Sequence, residues 1–386
     1  MKKVCVVTAT RAEYGLLKPV IEKIKLSNSM ELILAVTGMH LAPEFGLTYR
    51  EIERDGYQIN GKIEMLLSSD TATGITKSMG IALLGFADFF ETHKPDIVIV
   101  LGDRYETMAV ATAALIAKIP IAHIHGGEIT EGAYDDAIRH SITKMSCLHF
   151  ASTEEYRKRI IQLGEQPDRV YNVGALGVEN IKSIPLWSKE KLEDNLKFSF
   201  NEETIMVTYH PATLDIVSSE MQFRNLLQIL DKHENIKVIF TKANADTDGR
   251  SINSMIDKYV EQHQGRCISF TSLGQVRYLS ALQFCKAVVG NSSSGIIEAP
   301  SFHIPTVNIG NRQQGRIAAK TVINCGYEIM EIEKALDRAF SDEFMDVVAK
   351  CSNPYEGYKT SYKIYEIIES YLLSNKLSTK KQFYDI

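Results

Sequence analysis

The chain has 386 residues, 45% of them hydrophobic and 24% charged, with a formal net charge of −5. That length exceeds one ordinary hydrophobic core and predicts two domains. The weakly acidic balance argues against non-specific binding to nucleic acid, and no apolar segment approaches a membrane span.

The N-terminus passes directly into a strand pattern without a signal-type apolar region, so a cytoplasmic protein is expected. Cysteines 5, 147, 267, 285, 325 and 351 show no CxxC and no paired spacing. In runs such as "KKVCVVTAT" and "LQFCKAVVG" they read as small buried thiols. No metal cluster with ligand spacing is visible, and neither a metal nor a cofactor is expected.

Short β-rich runs then alternate with helical patterns. The first series is "VCVVTAT" (4–10), "LILAVTG" (32–38), "DIVIVLGD" (96–103), "PIAHIHGG" (120–127), "LHFAST" (148–153) and "VYNVG" (170–174). Around 180–200 the pattern gives way to a polar, charged stretch. A second series follows: "TIMVTYHP" (204–211), "IKVIFTKAN" (236–244), "RCISFTS" (266–272), "KAVVGNSSSG" (286–295) and "PTVNIGN" (305–311). Such alternation predicts α/β architecture with two doubly wound parallel sheets. The tail "SYKIYEIIESYLLSNK" (361–376) reads as a helix with no strand after it.

Ligands of open α/β sheets sit beyond the carboxyl ends of the strands. The first strand is followed by "TRAEYG", placing Arg11 and Gly15 where a loop receives an anion, and the second by "TGMH", ending at His40. No GxGxxG is present, so a dinucleotide fingerprint is absent. The third strand leads to Asp103 and Arg104. The fourth leads to "HIHGGEITEGAYDDAIRH" (123–140), with His125, Glu128, Asp135 and Asp136.

In the second series "IMVTYHP" ends at His210, and "KANAD" offers Asn244 and Asp246. "GNSSSGIIEAP" (290–300) reads as strand, tight turn and helix start, with Ser292 and Ser293 in a nest suited to phosphate. Glu298 falls about two helical turns into that helix, within reach of a sugar hydroxyl. "GNRQQGR" offers Arg312 and Arg316 after the last strand.

Structural readings compete at every position. "NSSSG" also reads as a helix cap, Asp103 and Arg104 as a surface ion pair, Asp135 and Asp136 as acidic residues of a first helical turn. Those readings must hold independently at nearly every strand end. One cleft, with cationic and amide donors on one wall and carboxylates on the other, explains the set with a single assumption. The ligand expected is anionic with hydroxyls, such as a nucleotide diphosphate sugar.

"TATRAEYG", "VTGMH", "LGDRYE", "HIHGGE", "YDDAIRHSITKMS", "YHPATL", "VVGNSSSGIIEAP" and "NIGNRQQGR" occur in this order. Together they closely resemble the hydrolysing UDP-N-acetylglucosamine 2-epimerases of bacterial sialic acid and legionaminic acid biosynthesis. The resemblance implies a GT-B-like fold: Rossmann-like domains over 1–180 and 181–365, facing one cleft, and a helix over 366–386 crossing back. It also implies a homodimer or homotetramer, with UDP-N-acetylglucosamine and UDP as small-molecule ligands.

Carried over by position, Arg11 and Arg104 approach the phosphates, with Gly15, His40 and His125 also on the substrate side. His210 and Asn244 line the nucleotide cleft, Leu273 lies beside the uracil, and Ser292 and Ser293 hold the diphosphate. Glu298 takes the ribose hydroxyls and Arg312 faces the sugar nucleotide. Asp103, Glu128 and Asp135 are acid–base candidates, Asp136 orients them, and His210 stabilises the leaving phosphate. Many relatives read "HIEGGE" where this chain has His125, and its spacing to "DD" is one residue longer. Either the imidazole takes over proton transfer or Glu128 carries it.

The implied reaction converts UDP-N-acetylglucosamine and water to N-acetylmannosamine and UDP through a glycal. The alternative sugar is nucleotide-linked N,N′-diacetylbacillosamine, with the segment 62–80 expected to border its C4 and C6 groups. A glycosyltransferase, a non-hydrolysing epimerase and a binding module without turnover are the other readings.

Overall fold

Near-continuous apolar runs become strands buried on both faces, as parallel sheets require. The computed structural model describes residues 1–386 apart from 213, 216 and 245–247. It comprises two units: Met1–Glu128, Asp135–Asn180 and Tyr355–Ile386 form unit 1, and Ile129–Tyr134 with Ile181–Pro354 form unit 2.

Unit 1 contains β1 (Lys2–Thr8), β2 (Met30–Thr37), β3 (Gly61–Ile63), β4 (Ile97–Leu101), β5 (Ile121–Ile124), β6 (Leu148–Ala151) and β7 (Val170–Asn172). All pair in parallel, in the order β3-β2-β1-β4-β5-β6-β7. Alternate side chains of β1 feed two cores: Val4 and Val6 enter one, Cys5 and Val7 the other. The helix Thr360–Leu373 closes the first of these, packing Ile364, Ile368 and Leu372 into the cluster that holds Leu17, Val20, Ile21 and Ile24. Beyond that helix the Lys381 ammonium reaches the buried Glu165 (2.7 Å), which also takes Lys144 (2.7 Å) and His149 Nε2 (3.1 Å). Phe383 covers Gly164, where any Cβ would overlap its ring.

Unit 2 contains β8 (Ile205–Thr208), β9 (Val238–Thr241), β10 (Cys267–Phe270), β11 (Ala287–Gly290), β12 (Thr306–Ile309) and β13 (Val322–Cys325). Its parallel order is β10-β9-β8-β11-β12-β13. Both units are thus Rossmann-like, with strand order reversing at β1/β4 in one and at β8/β11 in the other.

Two strands differ from the sequence expectation. β3 is a three-residue edge strand, "GKI", and β13 is "VINC", so neither shows a long apolar run. Arg312 and Arg316 therefore follow the penultimate strand, not the last. The 180–200 stretch holds the end of the helix Leu176–Ser183 and the whole of the helix Lys189–Leu196. All six cysteines are free thiols, and Cys5, Cys147, Cys267 and Cys285 are buried. No helix among the described residues is long and apolar enough to cross a membrane.

Candidate functional site

In unit 1 the crevice opens at the β1/β4 reversal. Thr10 caps the helix Arg11–Lys25 through a capping box: its hydroxyl accepts from Glu13 N (3.3 Å), and Glu13 Oε2 accepts from Ala9 N (2.8 Å) and Thr10 N (3.3 Å). The helix consequently begins at Arg11. Gly15 lies inside it rather than in a loop, with its carbonyl held by Asn180 Nδ2 (3.0 Å). Arg11 pairs with Glu51 at 3.4 Å. His40 is fully buried, its ring nitrogens engaged by Thr8 (3.1 Å) and Thr48 (2.8 Å), and burial holds its pKa down at about 3. It fastens the β1 and β2 loops together and offers no side-chain surface to a ligand.

After β4, Arg104 turns back in a bidentate pair with the buried Glu106 (3.1 and 3.0 Å), and Glu13 Oε1 stands 3.9 Å away. Burial pushes the Glu13 pKa up to about 7, against the pull of Arg104 and with a further push from Glu106. Glu13 and Glu106 line a cavity of about 10 Å³, room for one water. His123 supports the same loop: its Nε2 meets the Gly102 carbonyl at 2.7 Å and its Nδ1 the Thr143 hydroxyl at 3.2 Å. Burial holds it near pKa 3, so the neutral ring donates from Nε2.

After β5 the chain turns sharply. His125 adopts a left-handed φ of 63°, a conformation that non-glycine residues hold only where surrounding structure enforces it. The enforcing contacts are His125 N to Phe150 O (2.8 Å) and Arg139 to His125 O (2.8 Å). Arg139, 2% exposed, also pairs with Asp103 and stands 3.7 Å from Glu128. Glu128, 1% exposed, accepts from Ser152 Oγ (2.8 Å) and lies 3.8 Å from His125 Nδ1. One guanidinium thus binds Asp103, Glu128 and the His125 backbone into a single cluster.

Asp135 and Asp136 open the helix Asp135–Met145. Four residues on is the same face, so Asp135 shares a face with Arg139, whereas Asp136 faces His140 at 3.6 Å. Burial lowers the His140 pKa while Asp136 pulls it up.

In unit 2 the β8/β11 reversal is built from amides and hydroxyls. Gly290 (φ 129°) has no room for a Cβ, which would overlap the Thr208 carbonyl. Asn291, 1% exposed, clamps His210 through both backbone groups, accepting from its N–H and donating to its carbonyl, each at 2.7 Å. The Asn291 carbonyl accepts from Arg312 (3.1 Å) and Gln313 (2.8 Å). Arg312 Nε is buried with no acceptor among the described residues, a demand that an anion would satisfy.

Ser292 caps a helix of only five residues, Ser293–Ile297. Pro300 has no N–H to extend it, so Glu298 is the C-cap residue rather than two turns inside. Ser293 stays half-buried. Burial raises the Glu298 pKa, partly offset by a hydrogen bond from Ser294, which also meets Tyr278 at 2.6 Å. Asn244 is half-buried after β9, on a loop held where Asn253 binds Ala243 N (2.8 Å); Asp246 lies outside the described residues. The Leu273 side chain is core, packed with Leu279, Leu282 and Val288.

The contacts therefore unite Asp103, His125 and Glu128 through Arg139 in unit 1, and His210 and Arg312 through Asn291 in unit 2, with Ser292 next in the chain and Glu298 bonded to Ser294. Sequence reading missed Glu13, Glu106, Arg139 and Asn291. Only Glu13 carried a local signal, the T-x-x-E spacing of a capping box.

Over residues 22–369 the chain matches the family described as UDP-N-acetylglucosamine 2-epimerase. A Campylobacter jejuni protein named GDP/UDP-N,N′-diacetylbacillosamine 2-epimerase (hydrolyzing) is 44% identical over 343 residues, 89% of this chain and 88% of that one. An Escherichia coli protein named polysialic acid biosynthesis protein P7 is 40% identical over 388 residues, 100% and 98% of the two chains. Among solved structures, a Neisseria meningitidis UDP-GlcNAc 2-epimerase bound to UDP-GlcNAc superposes with a TM-score of 0.79 at 20% identity, covering 95% of this chain and 100% of that one. This chain belongs to the UDP-N-acetylglucosamine 2-epimerase family.

Proposed function

We propose that the protein is a hydrolysing 2-epimerase whose substrate is UDP-linked N,N′-diacetylbacillosamine. The observation that carries the reading is the Arg139-centred cluster of Asp103 and Glu128 at the unit 1 reversal. Two carboxylates at one buried guanidinium suit a reaction that takes a proton from one face of a sugar and returns it to the other. The Campylobacter relative's name supports the choice of sugar.

In this reading a base removes the C2 proton while the C1–O bond breaks, UDP leaves, and a C1=C2 double bond forms. Water then adds its hydroxyl at C1 and a proton returns to C2 from the opposite face, releasing the manno epimer. Asp103, Glu128 and Asp135 share the acid–base work. His125 stands beside Glu128, ready to exchange a proton with it, and Asp136 orients through His140.

The departing diphosphate needs positive and dipolar partners. In unit 2 these are Arg312, Ser292, Ser293 and His210, with Glu298 for the ribose hydroxyls and Asn244 and the Leu273 backbone along the base. Arg11 and Arg104 add charge from unit 1. An apolar strip on the unit 1 helices Ala72–His93 and Tyr105–Ile116, with Leu84 and Ile116 exposed, supports self-association; light scattering should find at least a dimer, and a monomer at micromolar concentration would remove that part.

Turnover in heavy water with both sugars is the direct test. The diacetylbacillosamine nucleotide should give free UDP and a manno product deuterated at C2, with the larger kcat/KM. The E. coli relative's name favours the second reading, UDP-GlcNAc; a larger kcat/KM on that sugar would establish it instead.

A further inference from the structure

The segment Ile129–Tyr134 belongs by its packing to unit 2, although Glu128 before it and Asp135 after it belong to unit 1. Its seat is the loop that follows β12, together with Leu214 in the loop after β8. Arg316 Nε donates to the Ile129 carbonyl (3.0 Å), and Leu214 N donates to the Gly132 carbonyl (3.2 Å). At Gly132 a Cβ would stand 2.8 Å from Arg312 Cα, and at Gly315 one would stand 2.6 Å from Glu131 Oε1. The first is a close approach of backbone to backbone that leaves no room to slide, whereas the second is a contact with the side chains of Glu131 and Ile129. The same loop is tied by Arg312 and Gln313 to the Asn291 carbonyl, and Asn291 is clamped to His210.

We propose that residues 129–134 are a coupling strap, with Arg316 as its positioning residue: occupancy of the anion half-site in unit 2 sets the placement of Glu128 and Asp135. The inference rests on the nucleotide-sugar reading above. An anion that draws on the Arg312 guanidinium shifts the backbone of 311–316, and the strap follows through the Gly132 backbone contact and the Arg316 hydrogen bond. Planar peptides carry that shift to the residues at either end. Proton abstraction then waits until the diphosphate is seated, which keeps the acid–base groups from acting on a sugar whose leaving group is not held. The role assigned to Arg316 is positioning, through the Ile129 carbonyl, with no part in the chemistry itself.

The test compares the full-length enzyme with Arg316→Ala and Arg316→Lys. UDP binding is read by calorimetry, turnover by UDP release, and strap order by amide hydrogen exchange over 128–136 with and without saturating UDP. In the wild type, UDP should slow exchange in this segment. Arg316→Ala should bind UDP within about threefold of wild type, lose that slowing, and lose turnover by tenfold to a hundredfold, the cost of misplaced catalytic groups. Arg316→Lys, still able to donate to the Ile129 carbonyl, should recover part of both. UDP binding without any slowing in the wild type overturns the strap and leaves the epimerase reading standing. So does Arg316→Ala turnover equal to wild type, or a loss matched by an equal loss of UDP affinity. No UDP binding by the wild type sinks the nucleotide reading and the strap with it.

Discussion

At the β1/β4 reversal the strand ends carry Asp103, Arg104, Glu13 and Glu106, joined after β5 by Glu128 and Arg139. At the matching β8/β11 reversal they carry Gly290, Asn291, Ser292 and His210, and the contacts are amide clamps and a serine cap. Two sheets of like topology have thus been loaded oppositely. Full charges, neutralised by the buried Arg139 and the half-buried Arg104, suit a place where protons move. Neutral dipoles, the single Arg312 guanidinium and a glycine that lets backbones touch suit a place where an anionic ligand supplies the opposite charge. The fold gives each unit the same crevice, and side-chain type at a few strand ends decides the job.

The largest expected effect would break the comparison on the charged side. Asp103→Asn should cut turnover at least about a hundredfold, the scale of general acid–base catalysis, while UDP affinity stays within a few-fold. Unchanged turnover would take Asp103 out of the chemistry and leave unit 1 with a merely structural ion cluster.

A second experiment sharpens how the charged side tolerates its burial. Folding raises the Glu13 pKa from 4.5 to about 7, so the folded chain holds that proton more tightly than the unfolded one. The stability this contributes is complete below pH 4.5 and is lost as pH rises through 7. Glu13→Gln keeps an acceptor for the Ala9 and Thr10 amides but never ionises. Urea unfolding across pH 4.5 to 7.5 should show wild type losing about 3 kcal/mol relative to the variant. A difference that stays flat with pH would mean Glu13 remains ionised beside Arg104.

The smallest effect probes the neutral side. Asn291→Ala removes two hydrogen bonds to His210, each worth about 1 kcal/mol net, and should weaken UDP binding about tenfold by calorimetry. Affinity equal to wild type would show that the clamp shapes the loop without serving the ligand.

Central strands were legible because burial on both faces demands unbroken apolar runs, as in "IVIVL" of β4. Edge strands β3 and β13 bury little and carry no such run. Residues at strand ends were legible too, since parallel topology fixes which end faces ligand. Pairings were not: Arg139 lies 36 positions from Asp103, and Asn291 lies 81 from His210. Such partners meet only when β4, β5 and the helix after it, or β8 and β11, are laid side by side. Gly15 misled because the loop it was assigned to is shortened by the Thr10–Glu13 box, and Glu298 because Pro300 ends its helix early.

The grip of Lys381 and Phe383 on Glu165 and Gly164 bears on how the protein can be trimmed. Ile386, at 88% exposed, stands outside that grip. Cutting the chain back past Lys381 removes one of the two ammonium groups on an enclosed carboxylate and uncovers a glycine shaped for an aromatic ring, so shortened versions forfeit an anchor that their last helix alone does not replace.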